Sequence, residues 1–377
     1  MILGLDNQTK FVEMSGGRCL KDIIIFDGAF GTYYTGLYGR EEYPESANIR
    51  HPERVQGIHR EYIASGANAI KTNTFAANPA TISDFELLRE TVKSGYHIAM
   101  AAASESVRVF ADIGPIVSDA AAADYLTVAK IFLDEGASCF LFETLSEISA
   151  LEPTIQYIKE NIPNATIITS FAVTQDGYTR SGEYYQTLFR KADAMGAGYV
   201  GLNCICGPAH MLNLISKTDT EQYAVIAMPN AGYPSVINGR TVYVDNPAYF
   251  SHKLYDIYCC GVQAIGGCCG TTPRHIKETV ERIRTDDGNR EKTVHQATER
   301  AVAQTSFSSK SGYPIIAVEI GAPVDTDIGF VLEAAHTIKR AGADFITIPD
   351  SPLAKTRANS MMIAAKIQRE ADIAVIP

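Results

Sequence analysis

Ala264-Ile265-Gly266-Gly267-Cys268-Cys269-Gly270-Thr271-Thr272-Pro273 spells out one strand-to-helix junction in a single stretch. A short apolar run enters paired glycines, two adjacent cysteines follow, and Thr-Pro opens a helix. Adjacent residues on an extended strand point to opposite faces. Flanking glycines relax the backbone enough for both sulfurs to turn toward one point.

The same cadence runs through the chain upstream. Apolar, β-branched runs at Ile23–Asp27, Ala69–Phe75, Val107–Ile113, Cys139–Glu143, Ala165–Val173, Tyr199–Cys204, Tyr223–Met228 and Ala264–Gly267 read as strands. Helical segments fall between them, near Glu53–Ser65, Ser83–Ser104, Ala120–Glu135, Ile148–Lys159, Gly182–Met195, Ala209–Ser216 and Pro247–Tyr258, with another from Pro273. Glycines in Ser65-Gly66-Ala67, Glu135-Gly136-Ala137, Met195-Gly196-Ala197 and Cys260-Gly261-Val262 stand where a helix should stop before the next strand. Repeated strand-helix units of this kind predict an α/β fold, a (β/α)₈ TIM barrel over residues 1–284. Polar residues then collect at the strand ends: Asp27-Gly28, Thr72-Asn73-Thr74, Asp112, Glu143-Thr144, Asn203-Cys204, Asn230 and Cys268-Cys269. In a barrel all of these meet at the carboxyl face, where barrel enzymes place their chemistry.

The composition of the 377-residue chain narrows the classes further. Hydrophobic residues make up 46% and charged residues 20%, and no apolar run is long enough to span a bilayer. A formal net charge of −10 argues against a nucleic-acid partner, which would want a basic footprint. The opening residues carry no secretory signal, so a cytoplasmic setting is expected, one in which clustered cysteines mean metal or chemistry and not disulfides. Cys204, Cys268 and Cys269 form such a cluster on the predicted barrel face. Three thiolates leave one tetrahedral position of Zn2+ free, the pattern of a catalytic site. Closure by Cys206, two residues from Cys204, would give a structural zinc instead.

After Arg284 the chain turns polar, and residues 285–311 read as a linker. A second unit follows at 312–377, with strands at Pro314–Ile320, Phe345–Ile348 and Ile373–Pro377 and helices at Phe330–Ala341 and Ser360–Glu370. It reads as the opening segment of a further α/β barrel, incomplete in itself.

Asp27-Gly28-Ala29-Phe30-Gly31-Thr32, Thr72-Asn73-Thr74-Phe75, Phe142-Glu143-Thr144, Gly201-Leu202-Asn203-Cys204, Pro229-Asn230-Ala231-Gly232 and Gly266-Gly267-Cys268-Cys269-Gly270-Thr271 together resemble the zinc-dependent homocysteine S-methyltransferases. The likeness covers residues 20–283 and is strongest to the homocysteine-binding barrel of cobalamin-dependent methionine synthases and of bifunctional bacterial relatives. It implies that Cys204, Cys268 and Cys269 bind zinc, and that the thiolate of L-homocysteine takes the fourth position and accepts a methyl group to give methionine. It implies also that Asn230 fills that position without substrate. Glu143 matches the acid that binds the substrate amine, and the backbone at Asp27 and Gly28 the region that receives its carboxylate.

The methyl donor is left open between a methylfolate or methylcorrinoid used through a partner and a sulfonium such as S-methylmethionine or S-adenosylmethionine. Residues 312–377 resemble the start of a methylenetetrahydrofolate reductase, with Glu319 at the position of its acid-base glutamate; Gly321-Ala322-Pro323 departs from the usual double proline. A reading of a different class is a catalytically idle or structural zinc barrel, serving as scaffold for a folate-reductase domain or a corrinoid partner.

Overall fold

The computed structural model describes residues 23–39, 43–232, 234–237, 240–243, 246–287, 316–321, 323, 328–349 and 360–376. The chain divides into two compact units, Met1–Lys292 and Thr293–Pro377.

In the first unit eight parallel strands form one sheet. They are β1 (Ile24–Ile25), β2 (Ala69–Lys71), β3 (Arg108–Ile113), β4 (Cys139–Leu145), β5 (Thr166–Phe171), β6 (Tyr199–Asn203), β7 (Val225–Met228) and, after an antiparallel hairpin of β8 (Pro234–Ile237) and β9 (Arg240–Tyr243), β10 (Ala264–Ile265). The order β1-β10-β7-β6-β5-β4-β3-β2 is closed by a parallel bridge from Phe26 to Ala69, so the sheet is a barrel. Its helices are α1 (Gly31–Tyr38), α2 (Ala47–Arg50), α3 (Pro52–Ala64), α4 (Phe85–Ala102), α5 (Ala121–Asp134), α6 (Glu152–Asn161), α7 (Tyr185–Met195), α8 (Pro208–Ile215), α9 (Pro247–Cys259) and α10 (Pro273–Asp287). The expected (β/α)₈ architecture is the observed one. The sequence reading had not separated α1 or the hairpin. Helix α10 runs through Asp287, three residues into the stretch read as linker; residues 288–315 lie outside the described residues.

Local chemistry sets the ends of these elements. Asp84 caps α4 by accepting the Leu87 N–H at 3.0 Å, and Asn246 caps α9 by accepting that of Tyr249 at 3.0 Å. Gly66, Gly136, Gly196 and Gly261 all take positive φ, which lets the chain leave a helix and re-enter the sheet.

The alternation of side chains along each strand divides the core. Ile25, Ile70, Phe140, Phe142 and Ile167 face outward under the helices. Ile24, Phe26, Ala69, Phe110, Leu141, Ile168, Ile226, Met228 and Ala264 fill the barrel, with the Phe26 and Phe110 rings 4.8 Å apart. Each fully buried phenylalanine contributes about 2–3 kcal/mol relative to exposure. One strand period beyond this plug, the inward positions become polar: Ala69 is followed by Lys71, Phe110 by Asp112, Leu141 by Glu143 and Ile168 by Ser170, all buried. The plug ends and a charged layer begins, at the carboxyl face.

The second unit is a parallel sheet in the order β11 (Ala317–Glu319), β12 (Phe345–Thr347), β13 (Ala374–Ile376), with α11 (Gly329–Arg340) and α12 (Ser360–Ala371) between strands. Ile320, Val331, Ile346, Ile363 and Ile367 form its core, and Glu319 is exposed at the end of β11.

Candidate metal centre

Three sulfurs, those of Cys204, Cys268 and Cys269, lie within 4.8 Å of one another. Cys204 follows β6, and the other two follow β10. Cys204 and Ile205 take φ of 60° and 54°, a left-handed conformation costly for non-glycine residues, about 1–3 kcal/mol each. This strained turn brings the Cys204 Sγ to 3.7 Å from that of Cys269. On the other side, the Cys268 N–H donates to Pro229 O at 2.8 Å and the Ala231 N–H to Cys269 O at 3.0 Å. Those bonds lock the cysteine loop against the segment that follows β7.

The donors suit a tetrahedral thiophilic ion. Sulfurs each about 2.3 Å from a zinc stand about 3.8 Å apart, close to the observed separation of Cys204 and Cys269. Without a cation the thiols of Cys204 and Cys268 resist ionisation. Mutual hydrogen bonding and burial push Cys204 far up, while Cys268, pulled down by the Cys204 hydrogen bond, is pushed up to about 12 by Cys269 and burial. A divalent ion reverses that balance. Asn230 is buried between the residues bonded to Cys268 and Cys269, and its Oδ1 has no hydrogen-bond partner among the described residues. Cys206 points elsewhere: its thiol is buried and donates to Val173 O at 3.0 Å, outside the sulfur cluster.

The sulfurs stand on the wall of a cavity of about 460 Å³. Its lining includes Ala29, Phe30, Thr35, Tyr43, Phe75, Lys71, Asp112, Glu143 and Thr144 beside the three cysteines. Glu143 is fixed by Asn203, whose Nδ2 donates to Glu143 Oε2 at 3.2 Å and to Thr144 Oγ1 at 2.8 Å, and lies 3.8 Å from Cys268 Sγ. Asn203 Oδ1 in turn accepts the Thr144 N–H at 2.8 Å, holding Thr144 at a φ of 62°. Asn203 therefore ties the acidic floor to the cysteine wall.

Lys71 carries the rest of the floor. Its Nζ is 3.6 Å from Asp27 Oδ1, 3.9 Å from Glu143 Oε2 and 3.5 Å from Gly267 O, and its N–H donates to Asp27 Oδ2 at 3.0 Å. Burial, opposed by Lys71, pushes Asp27 and Glu143 up to about 7, and burial beside Glu143 pushes Asp112 well above the usual carboxylate range. For Lys71 burial works against the charge, but Glu143 and Asp27 more than offset it and raise its pKa. Lys71 is thus the ionised member of the group, and the acids share what negative charge balances it.

Of the residues expected at the site, Cys204, Cys268, Cys269 and Glu143 line one cavity, while Asp27, Gly28 and Asn230 are buried and not part of its lining. A Cβ on Gly28 would come within 2.6 Å of Thr271 Oγ1 and 2.8 Å of the Tyr62 hydroxyl. The Ala29 N–H is already donated to Thr271 Oγ1 at 3.0 Å. Lys71 drew no attention in the sequence, and Asn203 was noted only as a strand end. The period of two from Ala69 to Lys71 was the signal that places the lysine inside.

A family model described as homocysteine S-methyltransferase matches residues 24–283. Methionine synthase of Mycobacterium leprae is 28% identical over 325 residues, taking in 76% of this chain and 26% of that protein. Methionine synthase of Mycobacterium tuberculosis is 27% identical over 296 residues, 69% of this chain and 24% of that protein. The chain thus spans about a quarter of the length of the curated relatives it matches. Among solved structures, the metallated form of the homocysteine methyltransferase MmuM from Escherichia coli aligns with a TM-score of 0.55 at 19% identity, covering 69% of this chain and 96% of that one. The oxidized form aligns at 0.56 and 20%, with the same coverage. These two likenesses are of fold.

Proposed function

The chain belongs to the homocysteine S-methyltransferase family, and from that premise we propose that its barrel transfers a methyl group to the thiol of L-homocysteine, giving methionine, with Zn2+ held by Cys204, Cys268 and Cys269. The observation that carries the proposal is the placement of three convergent sulfurs and a buried acid on the wall and floor of one cavity. Bound there, zinc supplies the positive charge that lets a thiol lose its proton at neutral pH, well below the usual thiol range of about 8.5.

The chain's own residues position the substrate. Glu143 faces the cavity and pairs with the α-ammonium, its carboxylate aimed by Asn203. Asp27 serves the same end from below by holding Lys71 beside Glu143, and Gly28 lets Tyr62 and Thr271 close under the loop that carries Ala29. Asn230, with its unpartnered Oδ1 beside the cysteine loop, is the residue we assign to the metal when substrate is absent. Phe30, Tyr43 and Phe75 make the remaining wall largely apolar, which suits a methyl donor and excludes water. Positioning of two reactants is the main catalytic contribution such a site makes.

The direction of the Cys206 thiol, away from the cluster, favours an open site over a structural zinc closed by four cysteines. No reductase activity is proposed for residues 312–377, which lie outside the matched segment. Zinc K-edge absorption with and without L-homocysteine tests the reading. Three sulfurs and one lighter ligand should become four sulfurs on addition. Four sulfurs beforehand, or no change, would reject it. Turnover assays with S-methylmethionine, S-adenosylmethionine and a methylcorrinoid then separate the donors.

A further inference from the structure

The cavity has two chemically different halves. Its floor carries Lys71, Asp112 and Glu143, while its outer wall carries Phe30, Tyr43 and Phe75. One acid stands on the apolar half. Glu45, in a short helical turn at Pro44–Ser46, lines the cavity and is only 8% exposed. Its Oε1 accepts the Ala76 N–H at 2.9 Å. Among the described residues no cation offsets its charge: burial raises its pKa, and only backbone N–H groups oppose that. The floor is different, since Lys71 lies 3.6 Å from Asp27 and 3.9 Å from Glu143. A buried carboxylate without a counter-ion is costly unless something else brings the missing charge.

The wall that holds Glu45 is built independently of the floor. Asn73 Nδ2 donates to Pro44 O at 2.6 Å and to Asn48 Oδ1 at 2.9 Å, and Asn48 Nδ2 donates back to Asn73 O at 2.8 Å. The Gly114 N–H holds Phe75 O at 2.9 Å. These bonds pin the segment from Tyr43 to Glu45 onto the loop that carries Phe75 and Ala76. The rings and the carboxylate therefore form one preformed wall. Aromatic faces and a single carboxylate, in a site that excludes water, attract a compact cation with an apolar body. A neutral ligand gains nothing from the carboxylate, and an anion is repelled by it.

We propose that Glu45 is the donor-selecting residue of this cavity: it admits a methyl donor that is a cation at the transferring atom, a sulfonium, whose methyl groups lie against Phe30, Tyr43 and Phe75. This rests on the homocysteine reading above and adds to it the residue that discriminates among donors. The electron count closes without a further reactant. The homocysteine thiolate gives a lone pair to form the new S–CH3 bond. The old C–S bond breaks with its pair left on the donor sulfur, which departs as a neutral thioether, and no proton moves. Opposite charges are consumed in the step, which surroundings of low polarity favour over one that separates charge. The thioether has no charge for Glu45 to hold, so the product is the weaker ligand of the two.

Calorimetry on the full, zinc-loaded chain decides the matter, with S-methyl-L-methionine compared against L-2-amino-5-methylhexanoic acid, its carbon isostere without the sulfonium charge. The two share an amino-acid head, so their ratio reads the sulfonium alone. The wild type should bind the sulfonium at least about tenfold more tightly, the scale of one charged contact. Glu45→Gln keeps an acceptor for the Ala76 N–H. It should remove most of that preference and raise the donor KM in methyl transfer, while L-homocysteine affinity and zinc content stay as in the wild type. A ratio unchanged by Glu45→Gln would make Glu45 a cap for Ala76 and nothing more. Equal binding of the two ligands by the wild type, or methionine formed only from a methylcorrinoid, would also overturn the proposal. In each of these cases L-homocysteine still binds and the homocysteine reading stands. If the wild type does not bind L-homocysteine at all, both readings fall together. Tyr43→Leu, at a side chain 73% exposed, should lower the same ratio by removing a ring and answers the question should Glu45→Gln not fold.

Discussion

Glu143 is the side chain whose charge the proposed recognition of the amine depends on, and Asn203 holds it at 3.2 Å whatever its protonation. Glu143→Gln keeps the shape and an acceptor for Asn203. It should retain the metal while weakening L-homocysteine about tenfold or more, the loss of a charge-assisted bond. Calorimetric affinity equal to wild type would reject the role. A second buried residue, packed behind the Phe30 wall of the cavity, tests the core. His59 is fully buried against Phe30, with ring centroids 5.1 Å apart, and neither ring nitrogen has a partner among the described residues. Burial lowers its pKa from 6.5 to about 3. The unfolded chain therefore binds more protons than the folded one between those values, and stability is lost as pH falls below about 6.5. At pH 5 the effect is about 2 kcal/mol by linkage. Asp27 and Glu143, raised to about 7, act in the opposite sense and lose their contribution as pH rises toward 7. His59→Leu should remove the acid-side loss alone, so on going from pH 7 to pH 5 its melting temperature should shift upward relative to the wild type's. Identical shifts in the two proteins would show that His59 has another way to carry its proton. The cysteines were legible because glycines flank them and both loops fall at strand ends. Lys71 was not, since a lysine closing a three-residue strand gives no sign of which face it takes until the register with Ala69 is known.

Among the elements, β6 does the most exacting work, since it places Gly201, Asn203 and Cys204 within four residues. Gly201 points into the barrel, where an added Cβ would overlap the Ile226 carbonyl and side chain on β7. Backbone is a poor neighbour to push, so Gly201→Ala should cost about 1–3 kcal/mol and shift β6 away from β7. Because Cys204 rides on that strand, bound zinc should fall as well. A melt and metal content both matching wild type would mean that β6 relaxes freely, contrary to its four paired residues with β7. The strands and helices were readable because apolar runs of strand length alternate with capped, amphipathic segments. Strand ends were overread, as at Ala69–Phe75, where pairing stops at Lys71 and the polar Thr72-Asn73-Thr74 turns into loop bonding. The β8–β9 hairpin was missed although Asn238-Gly239 between its strands is a strong turn dipeptide. The regular strand-helix count drew the reading past it.

At the scale of the whole molecule, residues 24–283 carry the family likeness, the closed barrel, the sulfur cluster and the cavity. The second unit has its own small core and its own three-stranded sheet. Its strand and helix positions were legible from the same alternation as in the first unit. Its chemistry was not, because a lone Glu319 after a short strand has no convergent partner to read. We therefore propose the domain division as a physical one: the barrel should hold its fold and its metal by itself. Ending the chain after Lys292 respects the observed division and spares α10, which runs to Asp287. The shortened chain should melt in one cooperative transition, within a few degrees of the barrel transition in the full chain, and bind one zinc. If it melts broadly or loses the metal, residues beyond 292 belong to the barrel's stability. The domain boundary would then have to move, although the geometry of the three cysteines would still stand.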